Sequence, residues 1–165
     1  MNRLLEPKLR AHPHVCWSSE EVQIGLKNAA IGPSTVWLKY DIKEFFLSGD
    51  HETLASLTAK GFTGELRNWV EDCVFFLLRS QFVEWKWDPD SALVVTKGSG
   101  MGMKHSGSIS DYCVFQTNEV GLLDPESRER LGIQLYLRFR DDVLVALKSP
   151  RFVHDFEKKY LPGNR

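Results

Sequence analysis

Ile133-Gln134-Leu135-Tyr136-Leu137-Arg138-Phe139-Arg140-Asp141-Asp142-Val143-Leu144-Val145-Ala146-Leu147 is the stretch that decides the fold. Its first half alternates, with Leu135, Leu137 and Phe139 on one side of an extended chain and Gln134, Tyr136 and Arg138 on the other. Arg140-Asp141-Asp142 interrupts the pattern and Val143 to Leu147 resumes it, so the segment reads as an antiparallel hairpin with two acids at its tip. Asp is a common turn residue, and a plain turn is the ordinary explanation of such a pair. Here no glycine eases the turn and adjacent carboxylates repel, so a bound divalent cation would account for the pair better.

A second acid-bearing strand lies upstream. Val36-Trp37-Leu38-Lys39-Tyr40-Asp41-Ile42 is β-rich and mostly apolar, as in a buried strand, and delivers Asp41 at its C-terminal end. An acid at a strand end is by itself usually a cap or turn former. If this strand lies beside the hairpin, three carboxylates converge on a hard-cation site of the kind used in two-metal nucleotidyl transfer.

Between and around these strands the period is helical. Ser18-Ser19-Glu20-Glu21 starts a helix running to about Ala30, and Gly32-Pro33 ends it. Residues 50–84 read as two helical pieces hinged at Gly61-Phe62-Thr63-Gly64, with Leu66, Val70, Val74 and Leu78 as a core-facing stripe. Ala92 to Thr96 reads as a short strand leading into Lys97-Gly98-Ser99-Gly100-Met101-Gly102, with a helix from about Ser106 to Glu119 and a last one from Pro150 to Tyr160. The glycine segment is no P-loop, because Gly102-Met103-Lys104-His105-Ser106 lacks the Gly-Lys-Ser/Thr ending. It serves either as a structural turn or as a loop that brings backbone close to a nucleobase or sugar. Met1 to Pro13 reads as loop or a frayed end.

With 165 residues, 42% hydrophobic content and five Trp, the chain can bury one core as a single domain. The net charge of −1 and pI near 6.5 give no global signal for nucleic acid, so a polymerase reading requires its basic grip to lie in parts absent from this chain. Cys16, Cys73 and Cys113 form neither a disulfide framework nor a zinc pattern, and His12, His14 and Cys16, split by Pro13, read as loop residues. No run approaches the ~20 apolar residues of a membrane span. The expectation is a soluble intracellular protein in a reducing compartment, nuclear or cytoplasmic.

Taken together, these features resemble a family. Asp41-Ile42-Lys43-Glu44-Phe45-Phe46 is similar to the first palm motif of reverse transcriptases, where an acid is followed five positions later by an aromatic. Gly98 to Ser106 is similar to their second motif and Arg138-Phe139-Arg140-Asp141-Asp142 to their third, in the same order, across about Trp37 to Leu147. Met101-Gly102 and the Arg138-Phe139 lead are most similar to Penelope-like retroelements. The resemblance implies an α+β palm-type antiparallel sheet backed by helices, with 1–35 as an N-terminal segment and fingers-like helix and 36–165 as the palm core. No sequence after Arg165 could form a thumb, so the remainder of a longer polymerase is expected to be missing.

The resemblance further implies template-directed nucleotidyl transfer from deoxynucleoside triphosphates to a DNA primer 3′-hydroxyl on an RNA or DNA template. Asp41 and Asp141 would be the ligands of two Mg²⁺ ions, with Mn²⁺ a possible substitute, the Ile42 carbonyl a further ligand and Asp142 the neighbouring third carboxylate. Phe46 would select deoxynucleotides by shape, and Met101, Gly102 and Ser106 would line the nucleotide and template side. The chain departs from the common second motif, which has Gln where Met101 stands and Pro where Gly107 stands. Two rivals stand: a viral-type RNA-dependent RNA polymerase, which would place an acid near Phe46 and Gly where Arg140 stands, and a non-catalytic palm remnant that only binds nucleic acid or protein.

Overall fold

A computed structural model describes residues 1–160, apart from the side chains of residues 85 and 88–90. The chain divides into two units, one made of Met1–Ala11 with Glu44–Gln116 and the other of His12–Lys43 with Thr117 onward. Helices and antiparallel strands combine in an α+β fold. Among the described residues no helix is long and apolar enough to cross a membrane.

The second unit holds the acid-bearing sheet. β4 (Ile133–Phe139) and β5 (Asp142–Leu147) form the expected hairpin, and β1 (Val36–Asp41) pairs antiparallel with the free edge of β5, giving the order β1-β5-β4. Leu38, Tyr40, Val143, Val145, Leu147 and Tyr136 face a core completed by Leu122, Leu131 and the Phe156 and Tyr160 rings of α7 (Val153–Tyr160). The opposite face carries Leu135, Leu137 and Ala146, packed with Cys16, Val22 and Ala29 around α2 (Ser19–Asn28). Ser18 caps α2 as its sequence demands, accepting the Glu21 N–H at 3.3 Å. Gly25 lets this helix lie close, since a Cβ there would meet the Leu137 side chain at 2.9 Å.

Two expectations for this sheet need correction. β1 stands at one end of the strand order and alternates half-buried and exposed, with Trp37 44% exposed, because only the Leu38 and Tyr40 side packs on the core; an apolar composition alone cannot tell such a strand from one buried on both faces. Conversely β4 is buried on both faces, and its polar side, Tyr136 and Arg138, lies inside. Val15 extends the β4 edge through a parallel bridge to Arg138. The helix expected over 150–160 opens with a 3₁₀ turn, Pro150–Phe152, before α7. Helix α6 (Pro125–Arg130) was not anticipated, although Asp124 caps it and Pro125 sits at its first position.

In the first unit, α3 (His51–Ala59) and α4 (Gly64–Arg79) form the hinged pair. Val70, Val74 and Leu78 are fully buried as the stripe requires, but Leu66, one turn earlier, is 46% exposed, so the buried stripe begins at Val70. Helix α4 ends at Arg79 rather than Glu84: Phe82–Trp85 (β2) pairs with Asp88–Val94 (β3), a hairpin that extends the predicted 92–96 strand backwards. The aromatic and β-branched residues Phe82 and Val83 carried that signal, and helical continuity hid it. Residues read as a frayed end form α1 (Asn2–Arg10), drawn into order by Leu5 and Leu9, which share one face and are fully buried. The helix expected over 106–119 is α-helical only as α5 (Ser106–Val114) and continues as a π-helical turn, Phe115–Glu119.

Candidate functional site

The register of β1 on β5 puts Asp41 directly opposite Asp142, and the Ile42 N–H continues the ladder by donating to the Asp141 carbonyl at 2.9 Å. The structure thus brings together Asp41, Ile42, Asp141 and Asp142, the three acids and the carbonyl-bearing neighbour singled out in the sequence. Side chains alternate along a strand, so Lys39, Asp41 and Asp142 lie on one face of the sheet. Lys39 Nζ lies 2.8 Å from Asp142 Oδ1. Its pKa is raised, first by that hydrogen bond and the Asp142 charge and further by the charges of Asp41 and Asp141. A cation therefore already stands among the three carboxylates. A cleft of about 450 Å³ adjoins them, lined by Val22 and Gln23 of α2, Leu137, Phe139 and Leu144 of the sheet, and Lys39 and Asp142.

The turn that carries Asp141 is strained. Arg140 has φ +57°, a region that favours glycine, and only one other described non-glycine residue, Glu44, shares it. Behind the turn lies a polar cluster that sequence reasoning missed. Arg138 and Glu119 are both fully buried. Arg138 Nε meets Glu119 Oε1 at 2.5 Å and Nη2 meets Oε2 at 3.2 Å, a bidentate fork. His14 Nε2 lies 3.1 Å from Oε2, and the Tyr136 hydroxyl donates its one proton to Oε1 at 2.9 Å, with the Tyr160 hydroxyl 3.2 Å from the same Tyr136 oxygen. Burial alone would push the Glu119 carboxyl up, but the His14 hydrogen bond and the Arg138 guanidinium outweigh it and hold the carboxyl down at about 2. The alternating pattern of β4 assigned Arg138 to a polar face, and no signal pointed to its partner 19 positions upstream.

The donor chemistry suits a hard divalent cation, since all three acids offer oxygen. As the side chains lie, however, no group of three His, Cys, Asp or Glu among the described residues stands close enough to hold a metal ion. The local cation is Lys39.

Phe46, Met101, Gly102 and Ser106 belong to the first unit. Phe45 takes the core position at 7% exposure, and Phe46, half-buried, meets it edge to face with ring centroids 4.8 Å apart. The glycine segment is laced to the Phe46 loop: the Ser99 N–H donates to the Phe46 carbonyl at 2.8 Å and the Gly98 N–H to that of Gly49 at 2.8 Å. Ser106 is 1% exposed and donates from Oγ to the Ser99 carbonyl at 2.5 Å, while buried Gln81 donates to the same oxygen at 3.1 Å. Ser106 and Gln81 therefore brace the loop, and Met101 and Gly102 are its exposed part. Gln81 carried no motif signal.

Gly98 has φ +75°, and a Cβ there would stand 2.4 Å from the Phe46 carbonyl oxygen. Gly98→Ala is expected to cost about 2 kcal/mol or more from left-handed strain and overpacking, read as a lowered urea midpoint at unchanged m.

No family model and no curated protein matches the sequence. Among solved structures, an apo telomerase from Candida tropicalis truncated from its C-terminal domain superposes with a TM-score of 0.65 at 17% identity, covering 96% of this chain and 35% of that one. The chain thus spans about a third of the length of that structure. Nearly the whole of this chain takes a fold similar to one within that telomerase structure.

Proposed function

We propose that this chain is the acid-bearing core of an RNA-directed DNA polymerase, a reverse transcriptase of which it spans only part, with kinship to Penelope-like retroelements. The observation that carries this reading is the register that sets Asp41 opposite Asp142 with Asp141 in the adjoining turn, in a fold similar to telomerase, itself a reverse transcriptase. Asp41 and Asp141 would hold two Mg²⁺ ions with help from the Ile42 carbonyl, and Asp142 would be shared with Lys39. Such ions, when bound, supply Lewis-acid activation of a 3′-hydroxyl and charge neutralisation at phosphate. The chain's own part is positional: the β1–β5 ladder fixes the spacing of the acids, and Lys39 holds Asp142 until a cation competes for it. The alternative, a remnant that binds without chemistry, is favoured by the Lys39 ammonium, which already engages Asp142.

The two readings separate by Mg²⁺-dependent extension of a DNA primer on an RNA template, using this chain alone and within any longer product of its gene. Incorporation that stops with chelator supports the polymerase; nucleic-acid binding indifferent to Mg²⁺, with no incorporation in either form, supports the remnant. If Phe46 stands against the sugar, Phe46→Val is expected to improve use of ribonucleotides about 10-fold to 100-fold relative to deoxynucleotides, read as the ratio of kcat/KM values. An unchanged ratio in an active variant would return Phe46 to a packing role.

A further inference from the structure

Beyond the acids themselves, we propose that Glu119, acting through Arg138, is the positioning residue for Asp141: the buried pair fixes the peptide between Arg140 and Asp141 and so sets where that carboxylate stands. This rests on the reading of Asp141 as a metal-binding acid. Arg138 uses two nitrogens on Glu119, and its third, Nη1, donates to the Arg140 carbonyl at 3.2 Å. That oxygen belongs to the same planar peptide as the Asp141 N–H, so the guanidinium sets the orientation of the unit that enters Asp141. The unit that leaves it is held from the other side, by the Ile42 N–H on the Asp141 carbonyl at 2.9 Å. Asp141 is therefore clamped at both flanking peptides, and the strained φ of +57° at Arg140 needs such a clamp to persist.

The clamp is itself anchored. Backbone bonds hold Arg138 on the Val15 side, from its N–H to the His14 carbonyl at 2.8 Å and from the Cys16 N–H to its own carbonyl at 2.7 Å. Glu119 closes the π-helical turn Phe115–Glu119, and π turns recur at functional sites because the wider turn re-aims the residues that follow. A buried ion pair is a poor source of net stability compared with apolar packing, so stability alone gives little reason for a fork whose spare nitrogen reaches an acid-bearing turn.

Arg138→Lys keeps the charge and removes the fork; Glu119→Gln keeps the shape and removes the charge. Each would be followed by backbone amide NMR of the chain, without metal and during Mg²⁺ titration. The expected result is that the Arg140 and Asp141 amide resonances shift and lose exchange protection while those of Leu38 and Val145 stay put, and that Mg²⁺ binding at Asp141 weakens about 10-fold to 100-fold. Unmoved Asp141 amides in either folded variant, or shifts spread evenly across β1, β4 and β5, would overturn the proposal. If the unsubstituted chain binds no Mg²⁺ near Asp141, the polymerase reading fails while the amide shifts still decide the positioning role.

Discussion

Asp141→Ala is expected to lower Mg²⁺-dependent primer extension about 10³-fold, the scale set by several kcal/mol of lost charge stabilisation at the metal site. It should leave the fold intact, because Asp141 sits in a turn beside two other carboxylates and its removal relieves like-charge repulsion rather than opening a core. Asp41→Ala should fall as far, and the double variant scarcely further, since ligands of one ion act as a unit. Asp142→Ala should cost less: its carboxylate is engaged by Lys39 in an exposed pair, which contributes little energy and can be replaced by water. Steady-state extension, with circular dichroism to certify folding, decides the ranking. Equal activity of Asp141→Ala and the parent would end the polymerase reading.

Legibility followed local pattern. The β4–β5 hairpin was readable because period-two alternation broke at Arg140-Asp141-Asp142 and then resumed, and α2 because Ser18 and two glutamates marked its start. The adjacency of Asp41 and Asp142 required a strand pairing across about a hundred residues, which the sequence suggested only through motif order. What failed was decided by tertiary contact. Leu66 sits on the right period for the core but one turn too early to reach it. α1 forms around two buried leucines that a charged, Pro-bearing segment concealed. Arg138 looked like a solvated strand residue because nothing in the alternation can announce a buried counter-charge on a distant π turn.

Glu119→Ala is expected to be the most destabilising single change, at about 3–5 kcal/mol, because it strands a fully buried guanidinium and takes the carboxylate partner from the hydroxyl of Tyr136. Replacing both partners, as in Glu119→Leu with Arg138→Met, should recover part of that loss, since the penalty comes from the uncompensated charge more than from the missing bond. The pair also predicts an acid limb. Glu119 titrates at about 2 in the folded chain against an ordinary value of 4.5, so the unfolded chain binds the extra proton first as pH falls. The stabilisation is complete above about pH 4.5 and drains away as pH drops toward 2, amounting to about 3 kcal/mol over that window. Glu119→Gln removes the titrating group, so its urea midpoints should decline less steeply between pH 5 and pH 2 than those of the parent, the rest of the decline coming from the other carboxylates. Parallel acid limbs in the two proteins would mean that Glu119 is already protonated in the fold, and that Arg138 is neutralised by some other group.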